Sequence, residues 1–292
     1  MKAKLPSTSS LEELYLKYQL SEEIQNDPLG RVSKTLLPED FEIISFVVAG
    51  LSYGRVQQIQ NSTESLYKSL RKLSLGPSGE GIARWLKTSP KREELRAAFA
   101  GWKHRMNTAD DLVGLLEKLS QALCQYGSLC ELYQKHHESD PVQQIAAFCE
   151  HFSESPIKDK RRIPKAWQGT GTSWFACSPL GGGTSKRLMM WFRWMIRRDQ
   201  IDPGTWRVLA SPHLPAPDPA RLFWPVDTHV FRWAKNRKIV TSKNPTWKSV
   251  TEITDFFRKR NSADPVKYDF AICHEGMKES EQARHTKTVK NR

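Results

Sequence analysis

Apolar residues in this chain return at steps of three and four, and no stretch alternates apolar with polar. Phe41, Ile44, Val47, Val48 and Leu51 form one such row, and Leu112, Leu115, Leu116 and Leu119 a second. Leu188, Trp191, Phe192, Met195 and Ile196 form a third. That spacing lines one face of a helix, whereas a strand needs a period of two. The chain is therefore expected to be all-α. Its 292 residues suffice for one large domain or two small ones with a sizeable core. No internal repeat is visible.

Caps and breakers divide the helices. One is expected over Leu11–Leu20, and a deeply buried one starts at Glu39, after Pro38 and with acids in its first turn. Others are expected over Val56–Lys72, Glu80–Lys87, Lys91–Phe99, Ser128–His137 and Pro141–Phe152. Asn107–Tyr126 is capped by Asn107 or Thr108 and ended by Gly127. Ser185–Arg198 leaves Lys186, Arg187, Arg193, Arg197 and Arg198 off its apolar stripe. A short helix follows Asp202, and the last are expected over Thr246–Arg260 and Asp264–Glu275. Residues 1–34 read as an N-terminal helix and connector, 35–276 as the core, and 277–292 as a basic, flexible tail.

The net charge of +13 points to a polyanionic partner. The last sixteen residues, with five Lys or Arg against two Glu, hold only +3 of it, so the body itself is basic. Ser153–Ser178 is irregular and carries Lys158, Lys160, Arg161, Arg162 and Lys165. A loop that long inside a compact domain usually serves function. The five cysteines make no Cys-x-x-Cys pair, so reduced thiols in a cytoplasmic protein are expected, with no disulfide framework, zinc site or other cofactor. A polar start and the short apolar run at Ile43–Leu51 argue against a signal peptide or a membrane span.

Two stretches carry chemistry. Pro179-Leu180-Gly181-Gly182-Gly183-Thr184-Ser185-Lys186-Arg187 reads as a glycine-rich turn entering a helix, with Lys186 in the first turn. Such a helix start, approached closely through glycines, suits a phosphate. Pro225-Val226-Asp227-Thr228-His229-Val230-Phe231-Arg232 reads as a second helix start, with Asp227 placed to cap it. One amine and one carboxylate, each at a helix entrance, form a plausible catalytic pair. The plainer reading makes Asp227 only a cap and Lys186 only a surface lysine. His229 is expected to bond locally rather than to bind metal.

Val226-Asp227-Thr228-His229-Val230-Phe231-Arg232 resembles the Val-Asp-Thr-His-(Ile/Val)-x-Arg signature of the helix-hairpin-helix DNA glycosylases, the endonuclease III superfamily. The turn at Leu180–Lys186 stands where that superfamily keeps its hairpin and catalytic lysine. The likeness covers roughly residues 35 to 276 and looks closest to a bacterial branch. Lys186 and Asp227 are 41 residues apart, about twice the endonuclease III spacing, so the archaeal 8-oxoguanine glycosylases are the closer analogy.

The resemblance implies a two-lobed fold, with residues 107–198 as the continuous lobe and N- and C-terminal helices making the other. Only Cys273 lies where many relatives carry four cysteines, so no iron–sulfur cluster is expected. It implies that Lys186 attacks C1′ of a damaged nucleotide as a Schiff-base nucleophile while Asp227 assists. Met190, Asp269 and Cys273 would then be base-pocket candidates. Gly181, Gly182, Gly183, Arg187, Arg161 and Arg162 would grip DNA, and Tyr53 and Arg55 would stand at the wedge that enters the base stack. The expected partner is damaged DNA, duplex or single-stranded, bound by a nucleoid-associated monomer. The competing expectation is a non-catalytic DNA-binding protein, for which neither the amine nor the carboxylate is needed.

Overall fold

The computed structural model describes residues 5–19, 27–153 and 171–290, with side chains of the last helix described through Ser280 and at Gln282. Thirteen α-helices make up the architecture along these residues, and the all-α expectation holds. No helix among them is long and apolar enough to cross a membrane.

The hub is α2 (Pro38–Leu51), in which every residue from Asp40 to Leu51 is buried. Proline at its first position and two acids in its first turn start it. A helix that is apolar nearly all round must sit inside the protein. Its few polar groups are used there. Asp40 accepts from Gly81 N and Ala83 N at 2.8 and 2.9 Å, capping α4 (Ile82–Leu86). Glu42 accepts from Leu129 N and Cys130 N at 3.0 and 2.9 Å, where α7 (Leu129–Gln134) starts. It also accepts from Trp206 Nε1 at 2.6 Å. Burial pushes the Glu42 carboxyl up to about 7, against the pull of those three N–H donors.

Around α2 pack α3 (Val56–Arg71), α4, α9 (Lys186–Ile196), α10 (Trp206–Leu209) and the turn at Pro28–Arg31. The contact with α9 is aromatic: Trp191 meets Phe46 edge-on at 4.8 Å between ring centres, and Trp206 at 5.2 Å. The long helix α6 (Ala109–Tyr126) is capped by Thr108, reciprocally with Asp111, and packs on α4, α5 (Arg92–Ala98) and α7. Beside α7 lies α8 (Pro141–His151).

The sequence contains one element that its periodicity did not announce. Lys103–His104 and Asn107–Thr108 pair as a short antiparallel ribbon, turned by Arg105 at φ 51°. Two-residue strands are too short to show a period. Side chains hold the ribbon: the Tyr53 hydroxyl donates to His104 O at 3.0 Å, and Ser62 Oγ lies 2.6 Å from His104 Nδ1.

The C-terminal helices are α11 (Thr228–Asn236), α12 (Trp247–Arg258) and α13 (Asp269–Lys290). α13 packs on α11 and on α1 (Thr8–Gln19). α2 is seated against α4 and α9, and α1 against α13. Leu29, Val32 and Leu36 are buried in the same continuous core as α2.

α13 runs on to Lys290, with no Pro or Gly after Gly276 within it. Glu279 pairs with Arg237 at 2.6 Å, and Ser280 Oγ accepts from Arg232 Nη1 at 2.7 Å, which holds the helix against α11.

Two arginines of α9 also depart from expectation. Arg193 and Arg197 are 3% and 5% exposed rather than set on an outer face. Asp202 pairs with both, Asp264 with Arg197 at 2.9 Å, and Asp269 with Arg193. Carboxylates from distant segments make that burial tolerable, since an unpaired charge there would be strongly destabilising.

Candidate active site

The turn before α9 is a 3-10 turn at Pro179–Gly181, followed by Gly182 in the left-handed region at φ 78°. Only glycine takes that conformation without strain. Ser185 is also left-handed, at φ 47°, and its hydroxyl is buried without a partner. Gly181, Gly182 and Gly183 are exposed, and a Cβ added to any of them would meet nothing within 4 Å. These glycines are therefore not demanded by packing, and their backbone lies open to a ligand. The turn is anchored from behind, where Trp247 N donates to Gly182 O at 2.9 Å.

α9 begins at Lys186, whose Nζ reaches Met190 Sδ one turn on, at 3.6 Å. Among the described residues Lys186 forms no ion pair. The second entrance is Asp227. Its Oδ1 accepts from His229 N and Val230 N, both at 2.8 Å, capping α11. Its Oδ2 is left over from the cap and accepts from the Cys273 thiol, with 3.6 Å between sulfur and oxygen.

Lys186, Met190, Asp227, Asp269 and Cys273 all line one cleft of about 710 Å³. Four elements that are far apart in sequence supply its walls: α9, the start of α11, the start of α13, and the α2–α3 junction with Tyr53 and Gly54. Burial, with Asp227 and Asp269 adding to it, holds the Cys273 thiol well above its ordinary range, so it remains a thiol and a donor. Burial likewise pushes the Asp269 carboxyl up to about 6, against the pull of Arg193.

What brings α13 so close is Gly276. A Cβ there would stand 2.9 Å from His229 O and 3.1 Å from its carbonyl carbon. His229 itself lies 3.2 Å from Ser280 Oγ through Nδ1, a contact between α11 and α13.

The remaining expected residues divide. Tyr53 lines the cleft, but it is half-buried and its hydroxyl is committed to the ribbon. Arg55 is exposed at the entrance of α3. Arg187 also lines the cleft, and its guanidinium donates to Gly50 O at 3.0 Å and Trp174 O at 2.9 Å and stacks on Trp174 at 4.2 Å. Arg187 thus clamps α2 to the segment before the turn, with its donors largely used inside the protein. Arg161 and Arg162 lie outside the described residues.

Three contributors escaped the sequence reading. Arg193 and Asp27 line the cleft, and Gly276 sets its width. A glycine inside an otherwise helical run was the one available signal. Nothing in sequence distinguished Arg193 from its basic neighbours. Among the described residues, no group of three or more His, Cys, Asp or Glu side chains could hold a metal ion.

Residues 27–278 match the model of a family described as proteins of unknown function (DUF2400), and the chain belongs to that family. No curated protein and no solved structure matches it.

Proposed function

We propose that this protein is a DNA-repair N-glycosylase with AP-lyase activity, removing a damaged base through a lysine Schiff base, with 8-oxoguanine as the first lesion to test. One observation carries the reading. Lys186 and Asp227, each at a helix entrance, line the same cleft, and one Asp227 oxygen is left over from the cap. A carboxylate needed only as a cap has no reason to share a cleft with an unpaired amine.

In this reading the target nucleotide is flipped into the cleft while its phosphates are held outside. The exposed glycine turn and the partial positive charge at the start of α9 supply one grip. Lys186 Nζ attacks C1′, the C1′–N bond breaks, and its electron pair leaves with the base. Asp227 Oδ2 takes the proton that the amine gives up, or balances the positive charge growing on the sugar. The sugar ring opens to a Schiff base on Lys186. Loss of a proton from C2′ then expels the 3′-phosphate by β-elimination. The basic body supports DNA as the partner. Borohydride, which reduces the Schiff base to a stable amine, tests the reading: the protein should become covalently attached to lesion-bearing duplex. Base release without any such adduct would remove Lys186 from the chemistry.

A further inference from the structure

Two buried polar atoms of one ion pair at the cleft have no hydrogen-bond partner among the described residues. Arg193 donates through Nη1 to Asp269 Oδ2, and through Nε to Asp202 Oδ1 at 3.2 Å. That leaves Arg193 Nη2 and Asp269 Oδ1 without a hydrogen bond, although each residue is only 3% exposed. Both residues line the cleft, as do Lys186 and Asp227. A buried donor or acceptor left unmade is costly, and here one ion pair leaves two. Native structures keep few such groups, and a ligand that completes them is the physical reason to keep these.

The free atoms are of opposite kind: a guanidinium N–H that can only donate and a carboxylate oxygen that accepts. We infer that Arg193 and Asp269 read the lactam edge of a flipped base, Asp269 accepting from the ring N–H and Arg193 donating to the neighbouring C=O. The inference rests on the glycosylase reading of this cleft and names its substrate class. Lactam edges occur in guanine, hypoxanthine, uracil and their oxidised forms. An amino base such as adenine also offers a donor beside an acceptor, but with a ring nitrogen in place of the carbonyl oxygen. The reaction favours the carbonyl. As the C1′–N bond breaks, the departing base becomes an anion whose charge gathers on its carbonyl oxygens. A fixed cation facing such an oxygen is worth more in the transition state than before it. Asp202 and Asp269 hold Arg193 in place for that role.

The test is borohydride trapping by the full chain on duplexes that differ in one base. The panel carries 8-oxoguanine, hypoxanthine or uracil on one side, and 2-aminopurine or 5-hydroxycytosine, which lack a ring lactam N–H, on the other, with a bare abasic site as reference. At least one lactam base should give tenfold or more adduct over either amino base. Asp269→Asn, which keeps volume but replaces one acceptor oxygen with a donor, should lower that lactam adduct tenfold or more. Its melting temperature is read alongside, because Arg193 then keeps only Asp202 as an ion-pair partner. If Asp269→Asn melts early, the base panel with the unaltered protein decides alone. Equal adducts on lactam and amino bases, or an Asp269→Asn protein that keeps the full preference, overturn the inference. Trapping on the abasic site with none of the bases overturns it too, while the lyase reading stands. No adduct on any duplex, abasic included, takes down the glycosylase reading and this inference together.

Discussion

The Cys273 thiol donates to Asp227 Oδ2 across 3.6 Å, so α13 is docked onto the carboxylate that starts α11. One oxygen of Asp227 caps α11, and the other is met by Cys273 of α13. Structure and chemistry therefore make separable demands on this residue.

Asp227→Asn separates them. Asparagine caps a helix nearly as well as aspartate, so the melting temperature should barely move. The cleft that Lys186 lines loses a carboxylate, and single-turnover base release should slow by about 10²–10⁴-fold, as when a positioned acid–base group is removed. A variant as fast as the parent would reduce Asp227 to a cap.

Gly276→Ala sets two effects against each other. Alanine gains about 1 kcal/mol of helix propensity over glycine. Its methyl group would stand 2.9 Å from His229 O, in backbone that cannot swing away, and such overpacking costs about 1–3 kcal/mol. Stability should therefore change little or fall modestly. Activity should fall further, because α13 carries Asp269 and Cys273 away from Asp227, and displacements of about 1 Å cost up to about 10²-fold. Comparing calorimetric melting with adduct yield reads both. Unchanged yield would mean that the spacing of α13 is irrelevant to the site.

Acid and base should act oppositely on stability and on lesion binding. Burial raises Asp269 to about 6 and Glu42 to about 7, above the ordinary carboxylate value. The folded chain then holds protons that the unfolded chain has released, so stability falls as pH rises from about 4 towards those values. Lesion binding needs Asp269 ionised as an acceptor and should strengthen as pH rises through about 6. Melting curves and binding isotherms measured across this range should therefore slope in opposite senses. Binding that weakens in step with stability would exclude Asp269 from recognition.

Glu42→Gln tests the buried hub. Glu42 accepts three N–H groups with two oxygens. Glutamine offers one oxygen and would turn an NH₂ towards a donor. An unsatisfied buried group of this kind costs about 1–3 kcal/mol, and denaturant midpoints should fall accordingly. An unchanged midpoint would show that the protonated carboxyl already dominates.

The helices were legible because burial imposes a period. The row from Phe41 to Leu51 has one physical cause, and α2 is where it placed a core helix. Both helix entrances were legible for the same reason, since a capping carboxylate and a glycine turn are local signals. What sequence could not show was pairing at a distance. Arg193 and Arg197 looked like surface cations until Asp202, Asp264 and Asp269 arrived beside them. Arg187 read as a phosphate grip, and nothing in the sequence signalled that it would also donate to Gly50 O and Trp174 O. The ribbon at Lys103–Thr108 depends on Tyr53 and Ser62, and its own four residues carry no pattern.

The central claim is that Lys186 is the nucleophile, and one measurement addresses it directly. Unaltered protein and Lys186→Gln are each mixed with borohydride and an 8-oxoguanine or abasic duplex, and the covalent complex is resolved by mass. The account predicts an adduct with the parent protein, mapped to Lys186, and none with Lys186→Gln, which should bind the same duplex with nearly unchanged affinity because one charge among many is lost. An adduct that persists in Lys186→Gln, or one mapped to another amine, would contradict it.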